Sequence, residues 1–166
     1  MCVGTTVVVA VSAILSATGS TVAGEKGDCV PIVEQWSGQY SAQEAAKRVV
    51  IRDSAAWKQL WRAIHARIEP MPEVPEVDFH KHMVIGVFLG TKPTGGYSVS
   101  ITGIVRNAKT VVSVRERAPA PGDMVTMALT APYHVVVVPR SEKPVEFVAD
   151  RQKSRRDRPR ARGRLK

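Results

Sequence analysis

One stretch, Met83 to Ile101 (MVIGVFLGTKPTGGYSVSI), constrains the fold more than any other part of the chain. Two runs rich in Val, Ile, Phe and Tyr flank a segment with one proline and three glycines, which is typical of antiparallel strands joined by a longer connection. Met83–Leu89 is almost wholly apolar, as in a strand covered on both faces, whereas Tyr97–Thr102 alternates, as in a strand with one solvent-exposed face. The stretch therefore predicts a central hairpin with one interior strand and one half-exposed strand.

The connecting loop has a backbone shape that its own residues specify. Pro93 fixes its own φ and pushes Lys92 toward extended geometry, while Gly95 and Gly96 can take positive φ without a Cβ clash. A phosphate-binding loop would need Lys and then Ser or Thr after its last glycine, and here Tyr97 and a strand follow instead. Two interpretations stay open, a loop built for the connection alone and a loop displayed to a protein partner. The candidate partner-binding residues are Thr91, Lys92, Pro93, Thr94, Gly95, Gly96 and Tyr97.

A single amphipathic helix is predicted over Ala55–Ile68, with Asp53 or Ser54 as its N-cap. Spacings of three and four residues place its apolar side chains on one stripe, and burial against a sheet is favoured over a partner-binding face. The stripe consists of Trp57, Leu60, Trp61, Ile64 and Ile68.

Short strands separated by turn-sized gaps fill the rest of the domain, after a proline-rich connector that forbids regular structure. With a single helix available, βαβ units are not expected. The pattern predicts an α+β fold, an antiparallel β-sheet (meander or small sandwich) packed by one amphipathic helix. The further strands are predicted at Cys29–Trp36, Arg48–Arg52, Val111–Arg115, Met124–Leu129, Tyr133–Val138 and Val145–Val148, with a turn at Asn107–Lys109.

The first residues have the pattern of an export signal. Residues 1–24 contain the apolar run Val3–Leu15 followed by small residues, with Thr21 and Ala23 in positions that suit a signal-peptidase cut, although no basic residue precedes the run. We therefore expect an exported protein that is periplasmic, cell-surface or secreted. Residues 25–45 are predicted as a flexible leader and 46–149 as the folded domain. Cys29 is then the sole cysteine after cleavage, and no internal disulfide is expected.

Residues 150–166 are predicted to be a basic, disordered tail. Residues 151–166 hold nine Lys or Arg against one Asp, which leaves fifteen basic and fourteen acidic residues in 1–150. No aromatic residue is available for stacking on bases, so nucleic acid is not an expected partner. The alternatives for this tail are binding to an anionic surface polymer or lipid, and a solvated appendage.

No catalytic residue, cofactor, metal or small-molecule substrate is predicted. His80 and His82 form a His-x-His pair that could share a strand face and hold a metal with Glu76 or Asp78, but ordinary surface histidines next to Lys81 explain the same residues and are the favoured interpretation. A metal-dependent enzyme therefore stays a minor alternative. His134 is predicted to be packed or hydrogen-bonded, and no Gly-x-Ser-x-Gly motif is present.

These motifs together resemble the C-terminal domain of the protease complex subunit PrcB family. The resemblance covers roughly residues 49–148 and implies a small exported, non-catalytic subunit that associates with a subtilisin-type protease and supports its assembly or stability. It brings no catalytic residues, and the lipidation site common in the family is missing here. The matching residues are Trp57, Trp61, Asp78, Phe79, Met83, Val84, Gly86, Gly90, Pro93, Thr94, Gly95, Gly96, Tyr97, Pro132 and Tyr133.

A protease inhibitor is the alternative function. The segment Pro93–Tyr97 is also similar to the loop that chagasin-like inhibitors insert into the active-site cleft of cysteine proteases. Those inhibitors are all-β immunoglobulin-like domains, so the predicted tryptophan helix argues against this alternative.

Overall fold

A computed structural model describes residues 27–150 of the 166-residue chain. Its elements are β1 (Asp28–Cys29), β2 (Glu34–Gly38), β3 (Lys47–Ile51), α1 (Ser54–Ile64), β4 (His82–Phe88), β5 (Ser98–Arg106), β6 (Thr110–Arg117), β7 (Tyr133–Pro139) and β8 (Val145–Ala149). The predicted signal peptide, and the predicted tail beyond residue 150, lie outside the described residues. No helix in the described part is long and apolar enough to cross a membrane.

The strands form two four-stranded sheets that pack on each other. The central sheet has the order β2-β7-β4-β3, and the outer sheet has the order β1-β5-β6-β8. Every pairing is antiparallel except that of β6 with β8, which is parallel. α1 covers the other face of the central sheet. The predicted fold class, α+β with a sheet packed by a helix, is confirmed. Of the two predicted arrangements, a meander and a small sandwich, the strands form the sandwich.

Alternating side chains of β4 enter two different cores. Met83 and Ile85 pack between the sheets, whereas Val84 packs against α1. β7 is divided in the same way, with Val136 between the sheets and Val135 under the helix. Because both faces are buried, both strands are continuously apolar, and the predicted interior position of β4 is confirmed.

The N-cap of α1 is Asp53, whose Oδ1 accepts a hydrogen bond of 2.7 Å from the backbone N–H of Ala56. Four of the five predicted stripe residues are buried: Trp57, Leu60, Trp61 and Ile64. The predicted extension of the helix to Ile68 is wrong. The carbonyl of Ile64 accepts from the N–H of Ala42 (3.1 Å), and the N–H of Ile68 bonds to His65 instead.

The predicted central hairpin is also wrong, because β4 and β5 do not pair. β4 lies between β3 and β7 in the central sheet, and β5 lies between β1 and β6 in the outer sheet. The loop between them therefore crosses from one sheet to the other. An apolar pattern on both faces requires cover on both faces but does not identify the strands at the two edges, which here are β3 and β7.

Two further segments differ from the predicted strands. Residues 124–129 form no strand, because they follow a proline- and glycine-rich stretch and run irregularly over the surface. The predicted strand Cys29–Trp36 is instead two short strands in different sheets. Val30 bonds to Ile104 of the outer sheet and Val33 to Val137 of the central sheet, so this part of the predicted leader contributes to both sheets.

Candidate functional site

The predicted partner-binding loop, Thr91–Tyr97, lies at the pole of the sandwich where β4 ends and β5 begins. Lys92 and Thr130 form an antiparallel bridge with N–H to O distances of 2.7 and 3.0 Å. The N–H of Gly95 donates to the carbonyl of Thr126 (2.8 Å). The loop is therefore fastened along its length to the segment that precedes β7 and is held in one shape.

Two glycines at this pole need a conformation that other residues rarely adopt. Gly90 has φ +69° and Gly96 has φ +83°. A Cβ on Gly90 would lie 2.6 Å from the carbonyl oxygen of Glu44, and a Cβ on Gly96 would lie 2.9 Å from Cγ1 of Val125. The prediction that this loop needs glycine for its shape holds at Gly96, whereas Gly95 does not use positive φ.

The loop presents only part of itself to solvent. Thr91, Pro93 and Gly96 are exposed, and the other four residues are half-buried. The ammonium of Lys92 lies 5.8 Å from the centre of the Tyr97 ring, within the range of a cation–π contact.

A groove of about 480 Å³ opens beside the loop, and sequence reasoning did not find it. Three apolar side chains along it are unusually exposed: Tyr40 (62%), Ile68 (44%) and Leu129 (69%). Thr91 forms part of its wall, so the groove and the predicted loop are continuous. We call it the pole groove.

Two methionines extend this apolar surface along the segment fastened to the loop. Met124 is fully exposed and Met127 is 85% exposed, and Met124 lines a hollow together with Gly96 and Tyr97. Exposed apolar patches mark interaction sites more often than single apolar side chains do, and methionine adapts well to a partner surface. We call the loop Thr91–Tyr97, the pole groove and these two methionines the pole surface.

The available sequence signal for this surface was the apolar run Met124–Leu129 after Pro119 and Pro121. Interpreting the run as a strand assigned its side chains to a sheet and concealed their exposure. Tyr40 and Ile68 come from separate parts of the chain, so no local pattern connects them to the loop.

The structure does not bring His80 and His82 onto one strand face. His80 lies in a turn, where its N–H donates to Oδ1 of Asp78 (3.0 Å), and β4 begins only at His82. This hydrogen bond, with the nearby charge of Lys81, lowers the pKa of Asp78. Within residues 27–150 no three His, Cys, Asp or Glu side chains cluster closely enough to hold a metal.

The prediction that His134 is packed or hydrogen-bonded is confirmed, and both of its ring nitrogens have partners. Its Nδ1 accepts from the N–H of Ile101 (2.9 Å), and its Nε2 lies 3.2 Å from Oε1 of Gln35. The acceptor role of Nδ1 places the proton on Nε2, which donates to the glutamine. Burial lowers the pKa of His134, which favours the neutral form that the acceptor role of Nδ1 requires, and the ring connects the two sheets.

Comparison with known families gives one match. The family model described as PrcB C-terminal covers residues 83–139, from the second residue of β4 to the end of β7. This segment matches the PrcB C-terminal family. The predicted resemblance is thereby confirmed over these residues, whereas no curated protein and no solved structure matches the chain. The PrcB segment holds the loop, both exposed methionines and Leu129.

Proposed function

We propose that this chain is a non-catalytic, exported accessory protein that binds a subtilisin-type protease through the pole surface and supports the assembly or stability of the protease complex. The observation that carries the proposal is the PrcB C-terminal match over residues 83–139, because PrcB is a family of protease-complex subunits. Most of the pole surface lies inside that match.

The geometry of the pole surface supports a protein partner. Its exposed apolar side chains include a tyrosine, a leucine and two methionines, and aromatic residues and methionine are enriched where proteins bind one another. The loop beside it is fixed by three backbone hydrogen bonds to Thr126 and Thr130, so little conformational entropy would be lost on binding.

The titratable groups near the pole support a role other than catalysis. Glu44 and Arg67, which line the pole groove, are paired with each other at 3.0 Å and are largely exposed. His134, the buried histidine of β7, already uses both nitrogens for structural hydrogen bonds. A general base must be free to take a proton from a substrate, and both nitrogens of His134 are already engaged.

Co-purification from the native host tests the proposal. Tagged wild-type chain is compared with Leu129→Glu, which places a charge on the pole surface, and with Met71→Glu, which changes a half-exposed apolar side chain (47%) in the proline connector. We expect wild type and Met71→Glu to recover a serine protease from the exported fraction and Leu129→Glu to lose it. Equal recovery by all three chains contradicts the proposed surface.

A papain titration distinguishes the inhibitor alternative. Under the proposal, wild-type chain leaves papain activity unchanged at concentrations that saturate binding of the co-purified protease. Tight inhibition of papain that is abolished by Gly96→Trp would instead assign the loop Pro93–Tyr97 to inhibition of cysteine proteases.

A further inference from the structure

Residues 124–129, which follow the proline- and glycine-rich stretch, make almost no hydrogen bonds of their own. They form neither helix nor strand, and among the described residues their one hydrogen bond is that of the Thr126 carbonyl, which accepts from the N–H of Gly95 (2.8 Å). The six N–H groups of the segment therefore have no partner within residues 27–150. Exposed, unpaired backbone is a template on which a second chain can add a strand. We call residues 124–129 the methionine segment.

The methionine segment is nevertheless held in place at both ends. Before it, the N–H of Asp123 donates to the carbonyl of Ala120 (3.0 Å), and Oδ2 of Asp123 accepts from the N–H of Ala120 (2.8 Å), which closes a turn. After it, buried Thr130 forms the bridge to Lys92 and donates its hydroxyl to the carbonyl of Thr94 (2.8 Å). Because the two ends are fixed before a partner arrives, little conformational entropy would be lost on binding.

The side chains of the methionine segment suit a row of apolar pockets. None of its six residues is charged, and Val125 and Ala128 are half-buried, so the segment rests on the domain through these two. It presents its three longest apolar side chains to solvent, those of Met124, Met127 and Leu129. Met127 and Leu129 are two residues apart, which is the spacing at which an extended peptide fills neighbouring pockets of a receptor.

We infer that the methionine segment lies as an extended strand in the substrate cleft of the partner protease, so that the bound chain blocks other substrates. The inference rests on the proposed function and specifies which part of the protease is bound. A peptide in such a cleft is recognised by hydrogen bonds to its backbone and by pockets for its alternate side chains. The methionine segment offers unpaired backbone groups and exposed apolar side chains together.

A filled cleft also accounts for a stabilising role. A protease whose cleft is occupied cannot digest itself or its neighbours, so a non-catalytic subunit would protect the complex in this way. The segment itself is expected to resist cleavage. Thr126 and Thr130 remain hydrogen-bonded to the loop on either side of residues 127–129, which restricts movement of the backbone toward the transition state of hydrolysis.

The test is the activity of the partner protease toward a small substrate. The probe is the protease recovered in the co-purification above, separated from the tagged chain after capture. Its hydrolysis of a chromogenic tetrapeptide, which needs only the cleft, is measured with increasing amounts of three full-length chains. These are wild type, Met127→Glu on the methionine segment, and Met71→Glu in the proline connector as the matched control. Melting temperatures establish that all three chains are folded.

We expect wild type and Met71→Glu to inhibit competitively, raising KM for the tetrapeptide without changing kcat. Met127→Glu is expected to inhibit about tenfold more weakly, because it places a charge in an apolar pocket. Mass spectrometry of the wild-type chain after incubation with the protease is expected to find no cut between residues 123 and 130.

Three results overturn the inference while the proposed function stands, provided that Leu129→Glu still loses the protease. Full activity toward the tetrapeptide at saturating wild-type chain would place the segment on a strand edge outside the cleft. Equal inhibition by wild type and Met127→Glu would mean that another part of the chain blocks the cleft. Rapid cleavage between residues 123 and 130 would make the segment a substrate. If capture does not depend on Leu129 and no chain inhibits, the inference and the proposed function both fail.

Discussion

His134 shows how one side chain can connect two sheets. Its neutral ring accepts the N–H of Ile101 in β5, next to the irregularity in the β5–β6 pairing between Ile101 and Gly103. An unpaired buried N–H costs about 1–3 kcal/mol, so the ring satisfies a group that the outer sheet leaves without a strand partner. The sequence predicted that His134 lies in a buried strand. It did not predict the hydrogen-bond partners of the ring, because they come from β5 and β2.

The lowered pKa of His134 predicts a specific loss of stability in acid. Below the ordinary histidine pKa of 6.5 the unfolded chain takes up a proton that the folded chain resists, so the free energy of unfolding falls as the pH falls from 6.5 toward the lowered pKa. We expect His134→Asn, whose amide oxygen can still accept from Ile101, to lose less stability between pH 7.5 and 5 than wild type does. Urea titrations at both pH values measure this difference. An identical pH dependence in the two chains would count against the neutral ring.

Substitutions at three glycines distinguish the free energy lost to an unfavourable φ angle from the free energy lost to a steric clash of the new Cβ. Gly122 has φ +88° with open space around its Cα, Gly90 combines positive φ with close backbone contacts, and Gly103 has neither. We expect Gly122→Ala to lose about 1–2 kcal/mol of stability, Gly90→Ala to lose more, and Gly103→Ala to change stability by less than about 0.5 kcal/mol. Urea unfolding measures all three. A loss at Gly103 as large as that at Gly90 would contradict the assigned conformations.

α1 and the proline connector form one unit, of which the sequence predicted the helix and the irregular connector but not the contacts between them. The indole N–H groups of Trp57 and Trp61 donate to the carbonyls of Pro75 and Pro72 at 2.9 and 3.1 Å, so residues that cannot form regular structure still satisfy two buried donors. Trp36 of β2 completes a cluster of three indoles whose ring centres lie 5.3–5.6 Å apart. The helical stripe indicated burial of the two helix tryptophans, but nothing local indicated that Trp36 joins them.

The N-cap of α1 gives a direct test of how this element begins. Asp53→Ala removes the acceptor for Ala56 N–H and is expected to lower the free energy of unfolding by about 1 kcal/mol. Asp53→Asn keeps an acceptor oxygen and is the matched control, with an expected loss of no more than a few tenths of a kcal/mol. Unfolding can be followed by the fluorescence of the three tryptophans. Equal losses for both variants would show that the cap oxygen contributes little.

Strand pairing is where local sequence patterns were insufficient. The alternation of β5 and the apolar run of β4 indicated which faces are buried, but not which strands lie alongside them. A nine-residue connection, 89–97, is compatible with a return along the same sheet and with a crossing to the other sheet, and the burial of β4 on both faces does not decide between them, because it concerns the faces of the strand and not its edges. The parallel pairing of β8 was likewise beyond a pattern of only five residues.

Across the whole molecule, two packed sheets and one helix support an apolar surface at a single pole. Tyr40, Ile68, the loop and Leu129 are far apart in the sequence and meet because β4, β5 and β7 all begin or end there. The sequence therefore predicted the loop and its family resemblance, but not the groove and methionines beside it. A protein partner at this pole would cover the most exposed apolar side chains of the described residues, Met124, Met127 and Leu129.

Photo-crosslinking in the native host is the most direct test of whether a protein partner docks at the pole surface. A photoreactive phenylalanine analogue is placed at Met127 on the pole surface or at Met71 in the proline connector, two exposed methionines that the fold can replace without loss of core packing. We expect a crosslink to an exported serine protease from position 127 and none from position 71. A protease crosslinked from position 71 but not from position 127 would contradict docking at the pole surface.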